Sequence, residues 1–451
     1  MLLVLCIGCL MLSFCFQSTA VGISYVDWDG LQVTHPGQYS TPNDEREIVS
    51  IIKSAFKSKT VVKVVGGGLS FSGIQMSPEG GHIVSLDNMN KILSSTNKSS
   101  ANDTSTLVEV QGGIRLRDLC RELELLGLAL PNLGATASQS IVGATATGTH
   151  GTGQQLGCIA SQIEAFRLVD GTGNVHVVSN VSSGEDLSLF VGGRVGLGAL
   201  GIITAVTLRT VPIWKMKKTT ISYSLSKLLD DLPHLLESYE RLQWSWVPYT
   251  DSATVLLREN VVWETPLLPA EPDGGCWSST QSTINCTDVS YKTLTDSLDR
   301  YLNRSLYTEM EMFIPVEFTL DAVRDFISFM DSVKHLHDPS ITLSAMVRYV
   351  AKDDILLSPM YQRATSVISF IVQGDKNVTG SPSEFAMYAQ GLEELCQIKY
   401  QGRPHWGKVN YADKSYVESI YPQSFSEFTR LRRRLDPQGM FTNAYLEQRL
   451  G

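Results

Sequence analysis

The sequence predicts a mixed helix-and-strand protein of two domains, with a glycine framework for a ligand in its first half. Three observations carry this. Glycine-rich runs recur in order: VVKVVGGGLSFSG at 61–73, LPNLGATASQSIVGATATGTHGTG at 130–153 and GLGALGIITAVTL at 196–208. The texture of the chain changes after Pro212. A length of 451 residues gives each of two domains its own core. Glycine lets backbone N–H groups approach a ligand with no Cβ in the way, and consecutive N–H groups form an anion nest. Two such nests suit a large cofactor carrying a pyrophosphate.

Gly196, Gly198 and Gly201 spell G-x-G-x-x-G, but a strand-like IITAVTL follows them. A dinucleotide-binding Rossmann turn needs a helix there. The Gly66–Gly68 turn follows a strand but leads to another strand, IVSL at 83–86. A nicotinamide-type domain is therefore not expected. No phosphate-binding G-x-x-x-x-G-K-[ST] loop occurs either.

In chain order, Thr41-Pro42 is read as a helix start, a cap with proline in the first turn. Ile48, Val49, Ile52, Ala55 and Phe56 then line one face. Strands follow at 61–65, 83–86 and 106–110, then a helix at 114–126 closed by Gly127. Strands near 162–169 and 174–178 flank the Asp170-Gly171 turn. A helix from about Glu185 and a strand at 202–208 complete the first region, and Pro212 marks its end. Beyond it come strands such as 253–257 and 341–350, helices such as 318–335 and 382–396, and a polar loop at 265–290. The stretch 412–448 reads as helical, with Arg430–Arg434 on a solvated face.

A hydrophobic fraction of 43% and a charged fraction of 18% are globular values. A net charge of −9 argues against a nucleic-acid partner. Residues 1–20 open on the apolar run MLLVLCIGCLMLSFCF, with Ser18 and Ala20 at the −3 and −1 positions of a cleavage site. This is read as a signal peptide too short to span a membrane comfortably. The alternative is an uncleaved anchor. Sequons at Asn97, Asn102, Asn180, Asn285, Asn303 and Asn377 support entry to the secretory pathway, as a secreted or endoplasmic-reticulum protein with no membrane span after cleavage. Cys276 and Cys286 bracket a polar loop and are expected to pair. Cys120 is read as a core thiol, and Cys158 and Cys396 either pair or stay free. No spacing of histidines and cysteines suggests a metal site.

The motifs VVKVVGGG, GLALPNLGA, GTHGTG, LGALGIITAVTL, DDILLSP, GRPHWGK and LDPQGMFTNAYLE, taken in order, resemble those of the FAD-linked sugar-lactone oxidases of the vanillyl-alcohol oxidase type. The resemblance covers residues 22–450. It implies an α+β, two-domain vanillyl-alcohol oxidase/p-cresol methylhydroxylase-type FAD fold with an antiparallel-sheet cap domain. The domains fall at 21–212 for FAD and 213–411 for the cap, with 412–451 returning to the FAD domain. It also implies a substrate that is a sugar lactone or polyol, with O2 or another electron acceptor. Val65, Gly66, Gly67, Gly68, Leu69 and Ser70 would form the pyrophosphate loop. Ser140, Gly143, Thr147, Gly148, Thr149 and His150 would follow the rest of the cofactor, with Ile202 touching it through its backbone. Arg348, Lys408 and His405 are the candidate catalytic residues, the two cations facing the substrate near flavin N5.

Two departures from the family matter. The animal enzymes carry a flavin-linking histidine directly after the glycines, where this chain has Leu69, so FAD is expected to be held non-covalently. The family carries Glu-x-Arg on a strand facing the flavin, and here that pair is Met346 and Arg348. Strand alternation puts both on one face, but methionine cannot accept a proton. Glu309 and Glu311 alternate on EMEMFIPVE, and His405 is another candidate. The two glutamates read first as solvent-facing strand residues and second as a source of the missing carboxylate.

Overall fold

The computed structural model describes residues 23–28, 30, 32–97, 105–268, 283–295, 307–373 and 382–451. The first domain is built on two sheets. A parallel sheet places His82–Ser85 between Gln38–Ser40 and Val62–Val65. An antiparallel sheet runs in the order Val175–Ser179, Ile163–Val169, Ile202–Pro212, Thr106–Gln111, Ile92–Asn97, with Leu128–Ala129 pairing beside it on the long central strand. The Glu45–Ser58 helix closes one side, burying Ile48, Ile52 and Ala55, with Val49 and Phe56 packed beside them.

That helix starts later than the sequence suggested. Its cap is Asp44, whose carboxylate accepts from the N–H groups of Arg46 and Glu47. A charged acceptor at this position satisfies two orphan donors, so Thr41 and Pro42 remain in the approach to the helix.

The second domain is one large antiparallel sheet. Its order is Thr283–Val289, Lys215–Ser224, Ser252–Val261, Arg241–Trp246, Thr342–Val350, Thr365–Gln373, Tyr307–Pro315, Arg403–Pro404. The helices Leu225–Ser238, Thr319–Val333 and Pro382–Tyr400 contribute apolar residues to the core that covers this sheet. The supposed loop at 265–290 therefore ends in a strand along the sheet edge. The chain then returns to the glycine loop. Val62 N–H donates to Met440 O, Lys63 Nζ to Phe441 O, and the Asn443 amide to the carbonyls of Gly73, Ile74 and Met76.

Cys120, Cys158 and Cys396 are free, buried thiols. Cys286 is disulfide-bonded, and its expected partner Cys276 lies outside the described residues. So do the signal-like segment 1–20 and the sequons at Asn102, Asn303 and Asn377. The sequon asparagines Asn97, Asn180 and Asn285 are exposed. Among the described residues no helix is long and apolar enough to cross a membrane.

Candidate active site

Where the Val62–Val65 strand ends, Gly66–Ser70 turn across the mouth of a cleft. The backbone N–H groups of Gly67, Gly68, Leu69 and Ser70 donate to no protein acceptor among the described residues. Gly68 has φ +65°, a conformation that glycine adopts at little cost. Four free donors in succession match an anion such as a pyrophosphate. The opposite wall is the short Ile141–Ala146 helix, capped by Ser140, whose Oγ accepts from Gly143 N–H at 3.2 Å. Gly196, Gly198 and Gly201 form a third wall, with the apolar side chains of Leu86, Val142, Leu168, Leu200 and Ile203 between. Gln139 adds a buried Oε1 that has no hydrogen-bond partner among the described residues. Free N–H groups at one end and apolar flanks along the rest suit a flavin dinucleotide.

Val65, Gly66, Gly67, Gly68, Leu69, Ser70, Ser140, Gly143, Thr147 and Ile202 all line this cleft. Thr149 and His150 line a second cavity under the cap sheet. Gly148 lines neither, and a Cβ there would lie 3.1 Å from the Pro359 ring. Leu69, Ser70, Gln139 and Thr147 line both spaces, which therefore meet at these residues. Sequence reasoning missed Lys63, Gln139 and the third glycine run as parts of the wall. The run was read as part of the glycine framework, with Ile202 as its cofactor contact, but its glycines were not named as site residues. Lys63 is buried, and burial pushes its ammonium down to about 7.

The cap face of the second cavity is a lattice of three neighbouring strands. Register sets Phe313, Val367 and Arg348 in one row, then Glu311, Ser369 and Met346, then Glu309, Ile371 and Ser344, then Tyr307, Gln373 and Thr342. The turn after Arg403–Pro404 brings His405 and Lys408 against it, and the GTHG segment brings His150. Arg348, Lys408 and His405, proposed from widely separated motifs, thus face one space.

The exposed reading of the two glutamates is wrong. Glu309 and Glu311 are 3% and 2% exposed, because first-domain segments cover the polar face of their strand. Arg348 Nη2 bonds to Glu311 Oε1, which also accepts from Ser369 Oγ at 3.0 Å. Glu311 Oε2 faces Nε2 of His150 at 3.3 Å and Nε2 of His405 at 3.9 Å. Lys408 Nζ pairs with Glu309 Oε2 and lies 4.7 Å from the centre of the Phe71 ring. Burial would raise the Glu311 carboxyl, but Arg348, then Lys408 and His150, hold it well below the usual range. For Glu309 burial outweighs Lys408 and pushes the carboxyl up to about 7. Burial lowers both histidines, His405 to about 3, so the His405 ring is neutral. His405 Nδ1 accepts from Gly407 N–H at 3.0 Å, which places its proton on Nε2. That tautomer and the adjacent guanidinium set the His150–Glu311–His405 group against metal ligation.

Met346 sits in the Glu311 row, and its Sδ accepts from Gln243 Nε2 at 2.8 Å. The position expected to carry an acid is filled by a thioether. The acid stands two strands away in the same row.

A split glycine cleft opening onto a charged cavity under an antiparallel cap defines an FAD-dependent oxidoreductase of the vanillyl-alcohol oxidase type. Residues 36–179 match the FAD-binding domain family, and residues 276–449 match the family described as D-arabinono-1,4-lactone oxidase. The chain is 30% identical to L-gulono-1,4-lactone dehydrogenase of Mycobacterium tuberculosis, over 94% of this chain and 98% of that protein. It is 29% identical to L-gulonolactone oxidase of Mus musculus, over 95% of this chain and 98% of that protein. Among solved structures a solvent-stable cholesterol oxidase superposes with a TM-score of 0.77 at 14% identity, covering 95% of this chain and 97% of that one. That likeness is one of fold. The chain belongs to the FAD-dependent aldonolactone oxidase family.

Proposed function

We propose that the protein oxidises a secondary alcohol of a neutral sugar lactone, of the L-gulono- or L-galactono-1,4-lactone kind. The observation that carries this is charge compensation in the cap cavity. Arg348 and Lys408 are each neutralised by a buried carboxylate, so neither cation is left over for an anionic substrate. They remain fixed hydrogen-bond donors for the alkoxide that would develop on a substrate in this cavity. His405 Nε2–H adds a third donor beside them. Bound FAD supplies the hydride acceptor. Electrons then pass to O2 or to another acceptor, and parallel assays with O2 and a dye separate the two.

The deciding experiment is anaerobic. Gulono- and galactono-lactones should bleach the flavin absorbance, whereas the open-chain aldonates should not. A flavin that no lactone reduces would refute the reading. Met346 favours a second reading, a homologue redirected to another sugar or alditol, so alditols belong in the same panel.

FAD is held without a covalent bond in this reading, because Leu69 offers no nucleophile at the loop. Acid precipitation should release the flavin into the supernatant. Flavin that stays in the pellet would contradict it. The secretory assignment rests on the apolar leader and the exposed sequon asparagines, and a full-length cytosolic product whose mobility an N-glycosidase leaves unchanged would count against it.

A further inference from the structure

We propose that Glu309 is the catalytic base that removes the substrate's hydroxyl proton. The inference rests on the alcohol-oxidising reading above and goes beyond it in naming the proton acceptor.

The other groups around the cavity are occupied. Met346, in line with Arg348, cannot take a proton. Both oxygens of Glu311 are engaged, Oε1 by Arg348 and Ser369, Oε2 by the His150 ring. His405 carries its proton on Nε2, and its Nδ1 lone pair is used by Gly407 N–H. Both ring nitrogens of His150 face protein oxygens rather than the cavity's centre, Gly151 O at 2.8 Å and Glu311 Oε2 at 3.3 Å.

Glu309 is different. Lys408 holds only Oε2. Oε1 has no hydrogen-bond donor among the described residues, yet it is not sealed away, and the residue lines the cavity. The charged groups that act on it are Lys408 from the 403–411 segment, Glu311 on its own strand and Arg348 on the 342–350 strand, while the adjacent 365–373 strand offers the uncharged Ile371. A carboxylate poised near neutrality is suited to general-base work.

The step balances. The O–H bond breaks and its proton passes to Glu309 Oε1. The carbinol C–H bond breaks with its electron pair leaving as hydride to the family's FAD. The electrons of the former O–H bond close the C=O bond. Neutralising Glu309 frees the Lys408 charge to stabilise the oxygen as it turns anionic. Glu311 stays ionised throughout and acts as a positioning residue for Arg348.

The test is anaerobic stopped-flow flavin reduction by holoenzyme, using whichever lactone or alditol reduces the wild type. Glu309→Gln should slow reduction by ~10²–10⁴ at unchanged flavin content. In the wild type the rate should fall as pH drops below about 7, because the base becomes protonated. That limb should vanish in Glu309→Gln and persist, at lower rate, in Glu309→Asp. Near-normal reduction by Glu309→Gln, or a retained acid limb, overturns the base assignment while leaving the proposed reaction intact. A wild-type flavin that no panel member reduces overturns both.

Discussion

Gly66→Ala is expected to yield a colourless protein. A Cβ at position 66 would lie 1.9 Å from Ser140 Oγ and 2.8 Å from Ser140 Cβ. The Oγ can turn away about χ1, but Ser140 Cβ is fixed to the backbone, so the loop and the opposite wall of the cleft must separate. Ser140 also caps the helix carrying Gly143 and Thr147. Displacing it removes a cap worth about 1 kcal/mol and moves the residues that face the loop. The free N–H groups would then no longer converge on one anion. Stability should fall as well, since the cofactor stabilises only the folded form. Gly127→Ala is the control. It imposes a positive φ on alanine, a backbone cost of about 1–2 kcal/mol that Gly66→Ala does not carry, but it lies outside both cavities. The ratio of flavin to protein absorbance reads both. Wild-type flavin stoichiometry in Gly66→Ala would remove this loop from the cofactor site.

What the sequence showed and what it hid divide along a physical line. The glycine loop was legible because local chemistry specifies it: a β-branched run, then three residues that need no room for Cβ. The Glu45–Ser58 helix was legible from its apolar spacing, and only its start was misplaced, because Asp44 competes as a cap with Thr41. The buried acids were not legible. Alternation in EMEMFIPVE says that Glu309 and Glu311 share a face, but not which face meets water. Their partners Arg348 and Lys408 lie 37 and 99 positions further along the chain. The register of three strands brings Arg348 to Glu311, and the turn after Arg403–Pro404 brings Lys408 to Glu309. Met346 was visible as a loss, whereas its compensation from two strands away requires the sheet order. Gly196–Gly201 was legible as part of the glycine framework and not as a Rossmann turn, but which of its glycines form the wall depends on the fold.

Arg348→Ala should cost turnover ~10²–10³ while flavin content stays full. Arg348 is 7% exposed, its Nη2 is held by Glu311, and its Nε has no partner among the described residues. A fixed, dry guanidinium of this kind stabilises negative charge on a substrate oxygen without having to reorganise. Its removal also leaves Glu311 buried and less compensated, a loss of about 3–5 kcal/mol at neutral pH. The pH dependence has a definite sign. In the wild type the Glu311 carboxyl is held low, so its contribution is present above the unfolded value and lost in acid. Without Arg348, burial favours the protonated acid, so the gap in Tm between wild type and variant should narrow as pH falls toward 5. Arg348→Lys should restore part of both stability and rate. Met346→Glu is the complementary change. It adds a carboxylate in the Glu311 row, two strand spacings or about 9–10 Å away, where repulsion is on the order of 1–2 kcal/mol. Arg348 is already paired, so activity on the native substrate should fall. A rise on gulono- or galactono-lactone would instead mark the methionine as a loss. Unchanged turnover in both variants, at full flavin occupancy, would take residues 346–348 out of the active site.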